Sequence, residues 1–150
     1  MQSLVVVADD LAAVRSNRFA LRQVACFRVI ATVDGRASVR PAIARLQPHV
    51  VLVNEMCQRM NLMSRIREAA EAAPEATVVY LADRVDDAAV DEAVGAGAHA
   101  VIARDLPPSV LGTMLREVVQ GNVALSPRVR ADRAASGRQA QLALVARTSA

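Results

Sequence analysis

The 150-residue sequence contains no lysine and no tryptophan, one tyrosine, two phenylalanines and two cysteines. Each shortage removes a class of chemistry. Without lysine there is no Walker-type phosphate loop, no Schiff base and no ammonium to neutralise a phosphoryl group. With aromatics at 2%, a base-stacking platform for nucleic acid is not expected, and the core must be built from Val, Leu, Ile, Ala and Met. Cys26 and Cys57 are too few for a structural zinc set, and a lone disulfide does not suit a reducing compartment. His49 and His99 have no His or Cys partner at ligand spacing, so both read as surface or strand-edge residues rather than metal or catalytic groups. Long apolar runs are also missing. The first run, Leu4 to Ala8, stops at Asp9 and Asp10, too early for a signal peptide or a membrane span, so the expected location is cytoplasmic with no membrane partner.

What is present is a chain that is 53% hydrophobic, enough to fill the core of one domain with a short appendage. All 18 basic residues are arginine, and the net charge is +3. Beyond Pro127, Arg128, Arg130, Arg133, Arg138 and Arg147 face only Asp132, whereas the preceding residues carry thirteen arginines against fourteen carboxylates. The basic balance belongs to the tail.

Short β-branched runs recur at Leu4 to Ala8, Phe27 to Val33, Val50 to Val53, Thr77 to Ala82 and Ala100 to Ala103. Their near-continuous hydrophobicity predicts strands buried on both faces, as in a parallel sheet covered by helices. Between them lie helical spacings: Val14, Leu21 and Val24; Val39, Ile43 and Leu46; Leu62, Ile66 and Ala69; Val90 and Val94. Val110, Leu111, Met114, Leu115 and Val118 form the last, with Pro107 and Pro108 at its start and Gly121 at its end. Five such βα units predict an α/β fold: a doubly wound, five-stranded parallel sheet of the flavodoxin-like kind, strand order 2-1-3-4-5. Its crevice lies at the carboxyl ends of the strands, which singles out Asp9, Asp10, Asn54, Glu55, Ala82, Asp83, Arg104 and Asp105.

The stretches "LVVVADD" (4–10), "PHVVLVNEM" (48–56), "AVGAGAHAVIARD" (93–105) and "VVQGNVALSP" (118–127) resemble a response-regulator receiver of the NarL/FixJ type over residues 3 to 127. The resemblance implies the receiver fold and a two-component signalling role. It also implies a site: an acid pair for Mg²⁺, an aspartate nucleophile, a lysine, and a Thr or Ser that binds the phosphoryl product. Only the acid pair, Asp9 and Asp10, survives here. The acceptor position holds Asn54, whose amide is neither a comparable nucleophile nor an anionic metal ligand. Arg104 stands at the lysine position, and the two cations are not interchangeable at such a site. Ala82 replaces the hydroxyl and Val101 the aromatic switch. Cys57, Gln58 and Arg59 stand where the family has Met-Pro-Gly, and Leu62 replaces a glycine.

The pocket is therefore expected to be degenerate, with no catalytic residue, no cofactor and no working metal site; Asp9 and Asp10 are at most weak relics of one. An Asp10–Arg104 ion pair would close it. Cys57 beside Arg59 admits a redox role, but a plain thiol is the stronger expectation. In receivers of this type the last helix commonly pairs with a second copy, and Val110, Met114 and Val118 form the expected homodimer patch.

Residues 1–125 thus read as a pseudo-receiver domain and 126–150 as a basic, helical linker or tail. "SGRQAQLALVAR" (136–147) weakly resembles the opening of a LuxR-type helix-turn-helix, but a recognition helix needs about 30–40 more residues. DNA contact is expected only through such a module, absent from this chain. The leading expectation is a non-enzymatic, phosphorylation-independent receiver of a transcriptional response regulator. The alternatives are a sensor of a small acidic ligand lined by Arg104 and strand-end amides, or an adaptor for a partner protein.

Overall fold

In the computed structural model, residues 1–121 and the pair Val145–Ala146 are described. The elements alternate as β1 (Gln2–Ala8), α1 (Leu11–Arg22), β2 (Phe27–Asp34), α2 (Arg40–Leu46), β3 (Val50–Asn54), α3 (Arg59–Ala72), β4 (Thr77–Ala82), α4 (Asp87–Ala96), β5 (Ala100–Ala103) and α5 (Pro108–Gln120). The sheet runs β2-β1-β3-β4-β5, all parallel, so the predicted order holds. A two-residue strand, β6 (Val145–Ala146), pairs in parallel with β5 at the far edge. The helical reading of 126–150 otherwise lies outside the described residues.

The helix ends follow from local chemistry. Asp10 and Asp86 cap α1 and α4, accepting from the Ala13 and Ala89 amides at 2.7 and 2.8 Å. Pro108 opens α5 where no amide hydrogen is needed, and Gly121 closes it at φ 72°, a left-handed conformation that glycine adopts at no steric cost.

Strand periodicity then divides the core in two. Val5, Val7, Val51, Val53, Val78, Tyr80, Ala82 and Val101 face α2, α3 and α4 through Ile43, Leu62, Ile66 and Val90. Leu4, Val6, Val50, Leu52, Val79, Leu81 and Ile102 face α1 and α5 through Leu21, Leu111, Leu115 and Val118. Most of these side chains are fully buried, and truncating one to alanine costs about 2–5 kcal/mol. On the second face α1 and α5 approach until a Cβ on Gly112 would sit 2.2 Å from Val24 Cγ2, which is why a glycine occupies the interior of α5.

Candidate functional site

The carboxyl ends of β1, β3, β4 and β5 bring Asp9, Asp10, Asn54, Ala82 and Arg104 to one end of the sheet, as the βα order requires. Asp9, Asp10, Asn54 and Arg104 each bond a different partner. Asp10 is exposed and committed to capping α1. Asp9 Oδ2 accepts the Cys57 amide at 3.0 Å, which ties the β3–α3 loop to β1.

Asn54 turns away from the crevice. It is 2% exposed, and its Nδ2 donates to the Val7 carbonyl at 3.1 Å and to Asn17 Oδ1 at 2.7 Å. Asn54 shares the parity of Val50 and Leu52 and so faces α1, whose buried residues are Asn17, Ala20 and Leu21. Asn17 and Asn54 are the two buried polar residues among the described residues. The sequence signal for Asn17, a polar residue at heptad spacing on an apolar stripe, was present but not singled out.

The expected Asp10–Arg104 pair is not formed. Arg104 Nε instead pairs with Asp83, one strand away, because Asp10 lies across β3 and β4 and is bound to its own helix. Arg59 is not available to the Cys57 thiol either, since its Nε donates to Glu92 at 2.9 Å. Cys57 itself is exposed.

On the other sheet face Tyr80 and Glu55, neither assigned a role from sequence, form a polar junction. The Tyr80 hydroxyl donates to Glu55 Oε1 at 2.6 Å, and the Asp83 amide donates to the same oxygen at 3.0 Å. Burial and the neighbouring carboxylate push the Tyr80 phenol well above its ordinary range. The phenol thus stays protonated as the donor.

Four amides at the strand ends are used internally. Glu55 donates to the Leu81 carbonyl, Arg104 to the Ala82 carbonyl, Cys57 to Asp9 and Asp83 to Glu55. Ala82 and Val101 are both fully buried and pack toward α3 and α4, so neither a hydroxyl nor a swinging ring meets the crevice. Two grooves open at this end, one between β1 and β2 lined by Asp9, Asp10, Leu11, Val14 and the Asp34–Arg36 pair, the other beside Glu55, Arg59, Asp83, Arg84 and Glu92. Arg36 holds the Asp34 carboxyl down to about 2 through side-chain and backbone hydrogen bonds. Arg104 lines neither of these grooves.

Among the described residues no group of three or more His, Cys, Asp or Glu could hold a metal ion, and no helix is long and apolar enough to cross a membrane. Both histidines sit at the opposite end of the sheet. His49 Nδ1 accepts the Ser3 amide and His99 Nδ1 the Val78 amide, each at 3.0 Å, so they close the amino ends of β1 and β4.

The architecture has solved counterparts. The signal receiver domain of NarL from Mycobacterium tuberculosis superposes with a TM-score of 0.68 at 19% identity, covering 80% of this chain and 97% of that one. This chain has the receiver fold. The RcsB receiver domain of Salmonella enterica serovar Typhimurium, solved with phosphomimetic BeF3⁻, gives 0.68 at 15% identity over 87% and 96%. The receiver domain of a modulated diguanylate cyclase from Desulfovibrio desulfuricans gives 0.66 at 14% over 81% and 96%. No family model and no curated protein matches the sequence. At such identities the likeness establishes the fold, and receiver folds serve different outputs.

Of the expected dimer patch, Val110 is 40% exposed and Met114 partly buried, but Val118 is 4% exposed and packs in the core with Leu111 and Leu115. At helical spacing Val118 repeats the inward positions of Leu111 and Leu115, so it cannot also face a partner.

Proposed function

We propose that this chain is a receiver-type signalling module of a response regulator that works without aspartyl phosphorylation, residues 1–125 forming the module and 126–150 a basic connection to its output. The observation that carries the reading is Asn54. Its amide hydrogens are spent on Val7 and Asn17 inside the domain, at the position where a receiver presents its nucleophilic carboxylate. Asp10 as a helix cap, Asp9 on the Cys57 amide and Arg104 on Asp83 leave no set of groups aimed at a phosphoryl ligand.

Output then depends on standing contacts. The module acts in the cytoplasm in transcription control, as a constitutive homodimer through the Val110 and Met114 face of α5, with DNA reached through an attached or partner module. The test is incubation with acetyl phosphate and Mg²⁺, followed by intact mass and amide NMR spectra. Neither a phosphoryl adduct nor a shift of the α4–β5–α5 resonances is expected, and an adduct on Asp9, Asp10 or Asn54 overturns the reading. Sedimentation at about 100 μM, which populates even a dimer with Kd near 10 μM, is expected to show dimer. Met114→Arg is expected to give a folded monomer.

A further inference from the structure

Residues 11–33 contain Arg15, Arg18, Arg22 and Arg28 and no aspartate or glutamate. Over the remainder of residues 1–121 the balance reverses, with nine arginines against fourteen carboxylates. Folding gathers the four arginines on one side. At about 100° per residue, Leu11, Arg15, Arg18, Phe19 and Arg22 fall within about 100° of arc on α1. All five are exposed, Leu11 at 72% and Phe19 at 56%.

Between α1 and edge strand β2 lies a groove of about 230 Å³, with Arg18, Arg22 and Arg28 around Leu21, Phe27 and Val29. Because α1 runs back from Asp10 to the start of β2, this groove is at the end of the sheet away from the degenerate pocket.

The fold does not use these charges. Arg36, Arg40, Arg59, Arg65, Arg104 and Arg116 each pair with a carboxylate, but none of the four does so among the described residues. Arg15, Arg18 and Arg22 stand at i,i+3 and i,i+4 spacing, where like charges repel and weaken the helix. The chain's residues beyond Pro127, five arginines against one aspartate, have the same sign and cannot be the occupant.

A line of guanidinium forks suits phosphate, which each can grip with two parallel donors. One of the chain's three aromatic residues, Phe19, stands exposed among them. Base faces stack on such a ring, whereas a carboxylate peptide uses the charges and leaves the ring idle. Composition alone argues against a base-stacking platform, but the fold sets one exposed ring among four guanidinium groups, and we propose that the α1–β2 face binds single-stranded nucleic acid, with phosphates on Arg15, Arg18, Arg22 and Arg28 and a base on Phe19. This face is separate from the phosphorylation-independent reading and stands or falls without it.

The experiment is fluorescence anisotropy of a labelled oligothymidylate of about 12 nucleotides, within the usual site sizes, titrated with the full chain at several salt concentrations. Three or four phosphate contacts at about 0.7 each predict a log–log salt slope of roughly −2 to −3. Arg18→Glu with Arg22→Glu is expected to weaken binding about tenfold or more while thermal unfolding by circular dichroism stays cooperative. Phe19→Ala is expected to weaken it about fivefold or more, the smaller end of measured stacking effects. Four outcomes overturn the proposal: no binding, binding lost only on reversing Arg128 and Arg130, equal competition by an oligoglutamate peptide, or binding to phosphatidylserine vesicles that needs the same arginines.

Discussion

Asn54→Asp places a carboxylate at the buried end of β3, and the structure says what that substitution meets. Asn54 is 2% exposed, and its Nδ2 satisfies both the Val7 carbonyl and Asn17 Oδ1. Aspartate supplies neither hydrogen. Asn17 can rotate its own amide to donate, but the Val7 carbonyl is then left facing a carboxylate oxygen. A buried acceptor without a partner costs about 1–3 kcal/mol, and a poorly solvated charge adds to it. The variant is expected to lose about 3 kcal/mol at neutral pH, a large part of a typical total of about 5–15 kcal/mol. For a domain of this size that corresponds to a Tm lower by about 10 °C.

The pH dependence has a definite sign. Burial raises the folded pKa of the introduced carboxyl above its unfolded value of about 3.9. The charge-dependent part of the deficit is therefore absent below about pH 4, grows as pH rises, and levels off above the folded pKa. Urea denaturation of both proteins between about pH 4.5 and 8, compared at each pH, measures it. An Asn54→Asp protein as stable as its parent at neutral pH, or one that acquires a phosphoryl group and switches conformation with acetyl phosphate, refutes the reasoning.

Other expectations follow from single contacts. Asp10→Ala removes the α1 cap and is expected to cost about 1 kcal/mol in urea denaturation, equally with and without millimolar Mg²⁺; a deficit confined to Mg²⁺-containing buffer assigns Asp10 to a metal instead. Burial lowers the His99 pKa, and its Nδ1 already accepts the Val78 amide. Its contribution is therefore complete above about pH 6.5 and is lost as pH falls through the depressed folded value. His99→Asn keeps an acceptor but cannot titrate, so its urea midpoint should fall less than the parent's on acidification; parallel curves dismiss the role. Gly112→Ala places a Cβ 2.2 Å from Val24 Cγ2 and 3.2 Å from the Ala20 carbonyl, and should destabilise by about 1–3 kcal/mol despite alanine's better helix propensity. Adding Val24→Ala removes the closer clash, and the double variant is expected to lose less than the two single effects combined.

Strand runs, helix stripes and their order could be read from the sequence because burial on both faces of a parallel sheet writes hydrophobicity directly along each segment. That Asn54, Ala82 and Val101 bring no carboxylate, hydroxyl or aromatic ring to their positions was equally legible, since side-chain identity is written in the sequence itself. Partner choice among polar groups was not legible. Asp10 bonds its own helix and Arg104 takes Asp83, because each group binds whatever the strand ends bring within about 3 Å, a distance that sequence spacing does not encode. The same holds for Asn17 under Asn54 and Tyr80 on Glu55, donors and acceptors 37 and 25 residues apart that become neighbours only when the sheet is assembled. Val118 shows the limit from the other side. Five apolar residues mark α5 as amphipathic, but which of them the sheet covers depends on the helix's rotation against β5 and α1, and that is set by tertiary packing around Gly112.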